Sequence, residues 1–346
     1  MSHLRTLCLG IAASCAFATF VQAQAPPAAT PTITMKMLKP DVWEGIGDGG
    51  NSTIIIGKTG VIVVDAKQTN AGAKELLAQI AKITPKPVKT VIITHSDGDH
   101  LNGLVAYPTG IKIIAHENNK KEQQAALTAG GRGAPPADRL PNEVTTKRKE
   151  SMTIDGVKLE LYHFAPAHTS GDLVVYQPAT KIVSTGDVVV MNRADDNPNV
   201  HFEKNGSVEG WLTNVKAMIA LNADIYVTGH GDLATKADLQ RKFDATTARR
   251  NKIAAMVKEG KTLDQIKEAL PDAPAPGAPP RGAAPAGGAG GAGGAARGAG
   301  APAGAGAGAG RGSAARPLTF VETAYQEITK TEKILTLRGE RHFERH

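Results

Sequence analysis

Apolar side chains recur along this chain in short blocks that predict alternating strands and helices. Ser52 to Ile56 and Val61 to Asp65 read as two strands joined by the turn Gly57-Lys58-Thr59-Gly60. Ala73, Leu76, Leu77, Ile80 and Ile83 then fall at helical spacing, and Pro85 and Pro87 end that helix. Val91 to Thr94 and Ile111 to Ala115 are short apolar runs of buried-strand type. Val157 to Leu161 alternates as a half-buried strand should, and Leu173 to Tyr176, Ile182 to Thr185 and Ile225 to Thr228 add further strands. Trp211, Val215, Met218 and Ile219 mark one helix, Leu239 to Glu259 a long one, and Thr262 to Gln265 opens a short one with a capping-box pattern. Strands alternating with helices in two similar halves predict an α/β architecture.

The pattern breaks at both ends of this region. Arg5 followed by the uncharged apolar run Leu7 to Val21, with the small-residue site Val21-Gln22-Ala23, reads as a signal peptide over 1–23. The run is short for a membrane span, which needs about 20 apolar residues, so no stable span is expected after cleavage. Residues 24–32 are a disordered lead-in by composition, and 33–272 form the globular domain. Ala129 to Pro136 is a Gly/Pro-rich insertion of surface-loop type. Residues 273–317 are Gly, Ala and Pro with four arginines and no acid, a composition that cannot repay its ordering entropy and predicts a disordered linker. Helical periodicity returns through Phe320, Tyr325, Ile328 and Ile334, so 318–346 is expected to be a C-terminal helical segment.

Composition narrows the function classes. Both cysteines, Cys8 and Cys15, lie in the leader, so the remaining chain has neither a disulfide framework nor a thiolate ligand. The net charge of +7 becomes +6 once the leader removes Arg5 and no acid. The excess is diffuse, and its densest cluster, Lys147-Arg148-Lys149, has no interleaved aromatics, so a nucleic-acid partner is not expected. Export predicts a periplasmic or secreted protein, and a small-molecule substrate is expected. The oligomeric state is left open.

The chemistry is concentrated at strand ends. His95-Ser96-Asp97-Gly98-Asp99-His100 packs two imidazoles and two carboxylates into six residues directly after an apolar run. Downstream, His168 lies in a Pro/Gly-punctuated loop before a strand, Asp187 follows Ser184-Thr185-Gly186, and His230 is flanked by Gly229 and Gly231. Each motif alone is weak, but the joint pattern reads as the ligand set of a metal site.

These segments, in this order and together with Asp65 after an early strand, resemble the metallo-β-lactamase superfamily over roughly Met37 to Leu270. The resemblance implies a four-layer αββα sandwich, as in glyoxalase II, with two metals, zinc by default, at one edge of the sheets. Carried onto this chain, it implies that His95 and His168 bind the first metal and Asp99, His100 and His230 the second. Asp187 would bridge the two, and Asp65 would stand behind the ligands and orient their loop. The expected chemistry is hydrolysis of an ester, lactone, amide or phosphoester by a metal-bound hydroxide, with Asp99 as the catalytic carboxylate that orients water and handles its proton. The bridging Asp187 resembles the glyoxalase II and phosphodiesterase branches more than the lactamases, although a β-lactamase-like activity stays an alternative. Export argues against the cytosolic thioester role of glyoxalase II.

One position departs from the pattern. Asp97 stands where the family has its second histidine. A carboxylate can bind zinc, but it is shorter, adds a negative charge and makes the first position oxygen-rich. The expectation is a first site holding manganese or iron, or only the second site filled. The competing class is a non-catalytic metal-binding member of the fold. A di-iron redox protein is a third class, disfavoured because no flavin partner domain is present. Of the other histidines, His163 and His201 are candidates for the site mouth, His116 is expected to be structural, and His342 and His346 are tail residues.

Overall fold

Adjacent apolar residues in the central strands point to opposite faces, and this builds three packed interfaces from two sheets. The computed structural model describes residues 31–130, 137–193, 195–272 and 318–343, with side chains of the last helix described to Thr331. The expected signal peptide and nearly all of the lead-in, the linker 273–317 and the 131–136 part of the Gly/Pro insertion lie outside the described residues.

The first half runs β1 (Thr34–Lys39), β2 (Val42–Ile46), β3 (Ser52–Ile56), β4 (Val61–Val64), α1 (Asn70–Ile83), β5 (Val88–Ile92), α2 (Gly98–Leu101), β6 (Lys112–His116), α3 (Glu117–Thr128) and β7 (Glu143–Thr145). The second runs β8 (Lys149–Ile154), β9 (Val157–Tyr162), β10 (Val174–Gln177), β11 (Ile182–Ser184), α4 (Val208–Ala220), β12 (Ile225–Val227), α5 (Lys236–Lys258), α6 (Leu263–Ala269) and α7 (Phe320–Phe343). β1 to β7 form one sheet in chain order, and the second sheet is ordered β12-β11-β10-β9-β8. β4, β5, β6 and β7 are parallel neighbours, as are β11 and β12.

Ile54, Val63, Val91 and Ile113 pack against Ala73, Leu76 and Ile80 of α1. Their neighbours Ile55, Ile62, Val64, Ile92 and Ile114 face the other way, onto Leu159, Leu161, Val175 and Ile182 of the second sheet. Val174, Tyr176, Val183 and Tyr226 on that sheet's far side meet Trp211, Val215 and Met218 of α4 and Leu239 of α5. The layers are therefore helix, sheet, sheet and helix, an αββα sandwich. Because the central strands are buried on both faces, they read as unbroken apolar runs.

Local signals place the helix ends. Thr69 caps α1 by accepting from Gly72 N, and Thr235 and Thr262 form capping boxes at α5 and α6. Phe320, Val321, Ala324 and Ile328 of α7 pack with Ile253 of α5 and Ile266 of α6, and Glu327 accepts from Val208 N at 2.8 Å at the start of α4. No described helix is long and apolar enough to cross a membrane.

Candidate metal centre

The parallel strands end on one edge, and every candidate ligand sits on a segment leaving or approaching that edge. Asp65 follows β4, His95 to His100 follow β5 and run through α2, His168 lies between β9 and β10, Asp187 follows β11, and His230 follows β12. Two glycines allow the close approach this requires. A Cβ on Gly50 would lie 2.1 Å from the His100 ring, and one on Gly229 would lie 1.9 Å from Asp187 Oδ1. The Asn51 amide ties the two halves by donating to the carbonyls of Thr228 (3.1 Å) and Gly231 (2.9 Å) on either side of His230.

Asp65 sets the imidazoles behind the site. Its backbone takes a left-handed conformation (φ 65°), which Asp tolerates better than most residues. Oδ1 accepts from Thr94 N, and Oδ2 accepts from Thr94 Oγ1 and His100 Nδ1, each at 2.8 Å. Thr94 Oγ1, having given its proton to Asp65, accepts from His95 Nδ1 at 2.9 Å. One carboxylate thus fixes two tautomers, and both rings present an Nε2 lone pair to the same space. Thr94 was not singled out in the sequence. Its only signal is its place between a buried strand and the first ligand. Its N–H and hydroxyl both go to Asp65 rather than to a neighbouring strand, and β5 covers Val88–Ile92 rather than the expected Val91 to Thr94.

The Nε2 atoms converge with carboxylates. His95, His168 and Asp187 form one group of potential ligands, and Asp99, His100 and His230 another, with ligand atoms within 4.8 Å of one another in each. His100 Nε2 lies 3.1 Å from Asp187 Oδ1 and 3.3 Å from His230 Nε2. His230 Nε2 is 3.0 Å from Asp99 Oδ2 and 3.5 Å from Asp187 Oδ2. Asp187 therefore stands between the groups, as the resemblance implies for a bridge. His95 Nε2 is buried and has no hydrogen-bond partner. Such an atom costs about 1–3 kcal/mol unless something engages it, and a cation among facing lone pairs does so. The donor set of imidazole nitrogens and carboxylate oxygens suits a divalent metal.

The proton affinities express the same demand for positive charge. Burial lowers the pKa of His100, but the carboxylates of Asp187 and Asp65 outweigh it and hold the ring well above the ordinary imidazole range. Burial likewise opposes protonation of His168, yet the hydrogen bond with Asp97 and the charge of Asp187 push it up to about 9. Burial, with His100 and His168 adding to it, holds His95 well below the ordinary range. Burial acts to raise Asp187, but the surrounding imidazoles, His100 foremost, keep it far below the usual carboxylate range.

Asp97 is at the site but belongs to a third group, with His168 and His201. Its Oδ2 lies 3.0 Å from His168 Nε2, 3.3 Å from His201 Nε2 and 3.8 Å from His95 Nε2. Its Oδ1 takes the Lys204 ammonium. Lys204 had no signal in the sequence, because it ends a single 3-10 turn (Phe202–Lys204) that only the fold brings to Asp97. Of the two histidines expected near the mouth, His201 is there. His163 instead stacks on His116, with centroids 3.8 Å apart, and its Nδ1 donates to Asp172 O. The buried Asp172 carboxylate shapes the His168 loop by accepting from Ala167 N, Thr169 N and Thr169 Oγ1. Burial pushes its pKa up to about 6 despite those donors.

Fold and ligand arrangement together define the class: the chain belongs to the metallo-beta-lactamase superfamily, whose family model matches residues 45–230, a fold that implies binding of divalent metal. It is 28% identical over 224 residues to the 2,4-dinitroanisole O-demethylase subunit alpha of Nocardioides sp. (strain JS1661), a match covering 63% of this chain and 64% of that one. It is 27% identical over 230 residues to the metallo-beta-lactamase type 2 of Bacillus sp. (strain 170), covering 62% of this chain and 82% of that one. Among solved structures, a stereoselective inverting sec-alkylsulfatase from Pseudomonas sp. matches with a TM-score of 0.58 at 20% identity, over 70% of this chain and 46% of that chain. That last likeness is one of fold. The chain spans less than two thirds of the demethylase subunit and less than half of the sulfatase.

Proposed function

We propose that this protein is an exported, divalent-metal-dependent hydrolase of a small ester-type substrate, with an ester, lactone, amide or phosphoester as the bond attacked. The observation that carries the reading is the pair of ligand groups, His95/His168 and Asp99/His100/His230, meeting at Asp187. His95, His168 and Asp97 would hold a first metal and Asp99, His100 and His230 a second, with Asp187 between them. Zinc suits the second set, and manganese or iron suits the more oxygen-rich first set. When bound, such ions supply Lewis acidity, which makes water easier to deprotonate and polarises a substrate oxygen.

The chain's own groups account for the rest. The mouth is a cavity of about 380 Å³ lined by Asp97, Asp99, Asp187, Asn192, Arg193, Asn199 and His230, among others. Asp99 is 31% exposed at this cavity, whereas Asp187, which also lines it, is only 6% exposed. Asp99 is thus the carboxylate placed to orient water, accept its proton and pass that proton to a leaving group. Arg193, its Nε 3.3 Å from Asp195, sets a guanidinium on the rim where an anionic substrate group would dock. Asp65 keeps His100 and His95 aimed.

A panel of nitrophenyl esters, a nitrophenyl phosphodiester, a lactone and a chromogenic cephalosporin, with added zinc, manganese or iron, tests the reading. Metal-dependent turnover abolished by a chelator and by Asp99→Ala supports it. Full metal occupancy with no turnover across the panel favours the second reading, a non-catalytic metal-binding member of the fold. The Lys204–Asp97 ion pair is the observation on that side. The leader Leu7 to Val21 supports export to the periplasm or medium. Alkaline phosphatase fused after Ala23 would be active outside the cytoplasm if so.

A further inference from the structure

His201, backed by Glu203, stands outside the two ligand groups yet against Asp97, the position where this chain departs from the family pattern. We propose that His201 is a metal ligand that joins His168 and Asp97 in the first-metal set. The inference rests on the reading of the centre as metal-binding and adds to it a ligand that the family pattern does not contain.

The donor distances fit a coordination shell. In a tetrahedral site with ligands about 2.0–2.1 Å from the ion, neighbouring donors stand roughly 3.3–3.4 Å apart. Asp97 Oδ2 lies 3.3 Å from His201 Nε2 and 3.0 Å from His168 Nε2, and the three ligand atoms are within 4.8 Å of one another. Two imidazoles and one carboxylate leave coordination positions open, a set suited to zinc in hydrolases and to ferrous iron in other enzymes. His201 is 22% exposed, so the open side of the shell faces solvent.

Both rings are also supported as ligating imidazoles are. A ligating histidine donates its other ring N–H to a carboxylate or carbonyl, which fixes the ring and leaves a lone pair for the ion. His168 Nδ1 donates to Asn199 O at 2.9 Å, and His201 Nδ1 donates to Glu203 Oε1. Asp97 is oriented in the same sense. Lys204 takes its Oδ1 and reaches Ser96 Oγ at 3.2 Å, which turns Oδ2 towards the two imidazoles.

The backbone makes the placement a built one. His201 N donates to His168 O at 2.8 Å, so the two ligands are hydrogen-bonded to each other through the main chain. Gly206 N returns to His201 O at 2.9 Å, and Ser207 N donates to Ala167 O at 2.8 Å. A Cβ on Gly206 would lie 2.3 Å from His168 O. The turn carrying His201 and the loop carrying His168 therefore form one unit. The histidine absent from position 97 is supplied from position 201, and Asp97 becomes the carboxylate of the same site.

The test is metal binding by the full-length protein, stripped with a chelator and refilled with zinc or cobalt(II). Stoichiometry is read by mass spectrometry of metal content and affinity by competition with a chromogenic chelator. Wild type is expected to hold two equivalents. His201→Ala should keep one unchanged while the affinity of the other falls about 100-fold, and Glu203→Gln, which touches only the far side of that ring, should weaken the same equivalent about 10-fold. The cobalt(II) absorption of that equivalent should change in both variants. Glu203→Gln decides the matter if His201→Ala does not fold by circular dichroism. Two equivalents with affinities within twofold of wild type in both variants would overturn the inference and leave the hydrolase reading standing. Wild type that binds no divalent metal would overturn both.

Discussion

His100 Nδ1 and Asp65 Oδ2 are 2.8 Å apart and both buried, and the same oxygen receives the hydroxyl of Thr94. A carboxylate behind the imidazoles thus sets how the rings of His100 and His95 present their Nε2 lone pairs. Asp65→Asn keeps the shape but makes half of that carboxylate a donor, and it faces donors. Metal affinity is expected to fall about 10- to 100-fold with the far-ultraviolet circular dichroism unchanged. A chelator-competition titration giving wild-type affinity would remove Asp65 from this role.

Asp97→His replaces an oxygen ligand by a nitrogen and removes a negative charge beside Lys204. Imidazole favours zinc over manganese more than carboxylate does. Dialysis against equal zinc and manganese should therefore show the zinc-to-manganese ratio rising by about tenfold or more. Lys204 then has lost its carboxylate and faces a cation. The double variant with Lys204→Met should hold zinc more tightly than Asp97→His alone. Equal affinities would mean that Lys204 acts only on Asp97.

Gly229→Ala tests the packing of the bridge. The added methyl would meet Asp187 Oδ1 at 1.9 Å and the Gly186 carbonyl carbon at 2.8 Å. Neither atom is the end of a long flexible side chain, so Asp187 must move. Both metal equivalents should weaken while the αββα core survives. Retention of both at wild-type affinity would place the bridge elsewhere.

Glu44 gives the chain a pH dependence away from the metal centre. It is 1% exposed and its Oε1 has no hydrogen-bond partner. Burial raises its pKa to about 6, against the opposing charges of Lys36 and Lys67. The folded value lies above the unfolded one, so the folded state holds the proton more tightly. Its stabilising contribution is complete below about pH 4.5 and is lost as the pH rises through 6, by up to about 2 kcal/mol. Glu44→Gln should match wild type near pH 4 and exceed it by roughly that amount at pH 8, as read by urea unfolding. A constant difference across the range would assign the shift to another group.

How far the sequence carried depended on where the determining contacts lie. β3, β4 and β6 are buried on both faces, so their apolar runs are visible without knowing which residue points where. The division of Ile54 from Ile55, or of Ile92 from Ile93, between two cores was not legible, because both residues are buried in apolar surroundings. β1 was missed because Met37 is 61% exposed and the strand carries lysines among its apolar residues. β7 and β8 were missed as polar strands, although Met152 and Ile154 of β8 alternate with exposed residues. The ligand loops were legible as His and Asp at strand ends. His201 was legible only as a candidate for the site mouth, and Lys204 not at all, because both lie far from any strand in sequence and reach Asp97 through the main-chain bonds that join residues 201–207 to 167–168.

The Asn51 amide and the paired ligand groups draw residues from both sheets onto one edge, and this has a consequence for the chain as a polymer. Past residue 30 it has no cysteine with which to staple distant segments. An ion held by Asp99, His100 and His230 would close a loop from 99 to 230, a span of 131 residues. In the chain-entropy account a crosslink of that span removes about 5 kcal/mol of freedom from the unfolded state. The same ions that equip the centre for chemistry would thus do for this domain what disulfides do for cystine-stapled proteins, and a chelator would act on it much as a reductant acts on them.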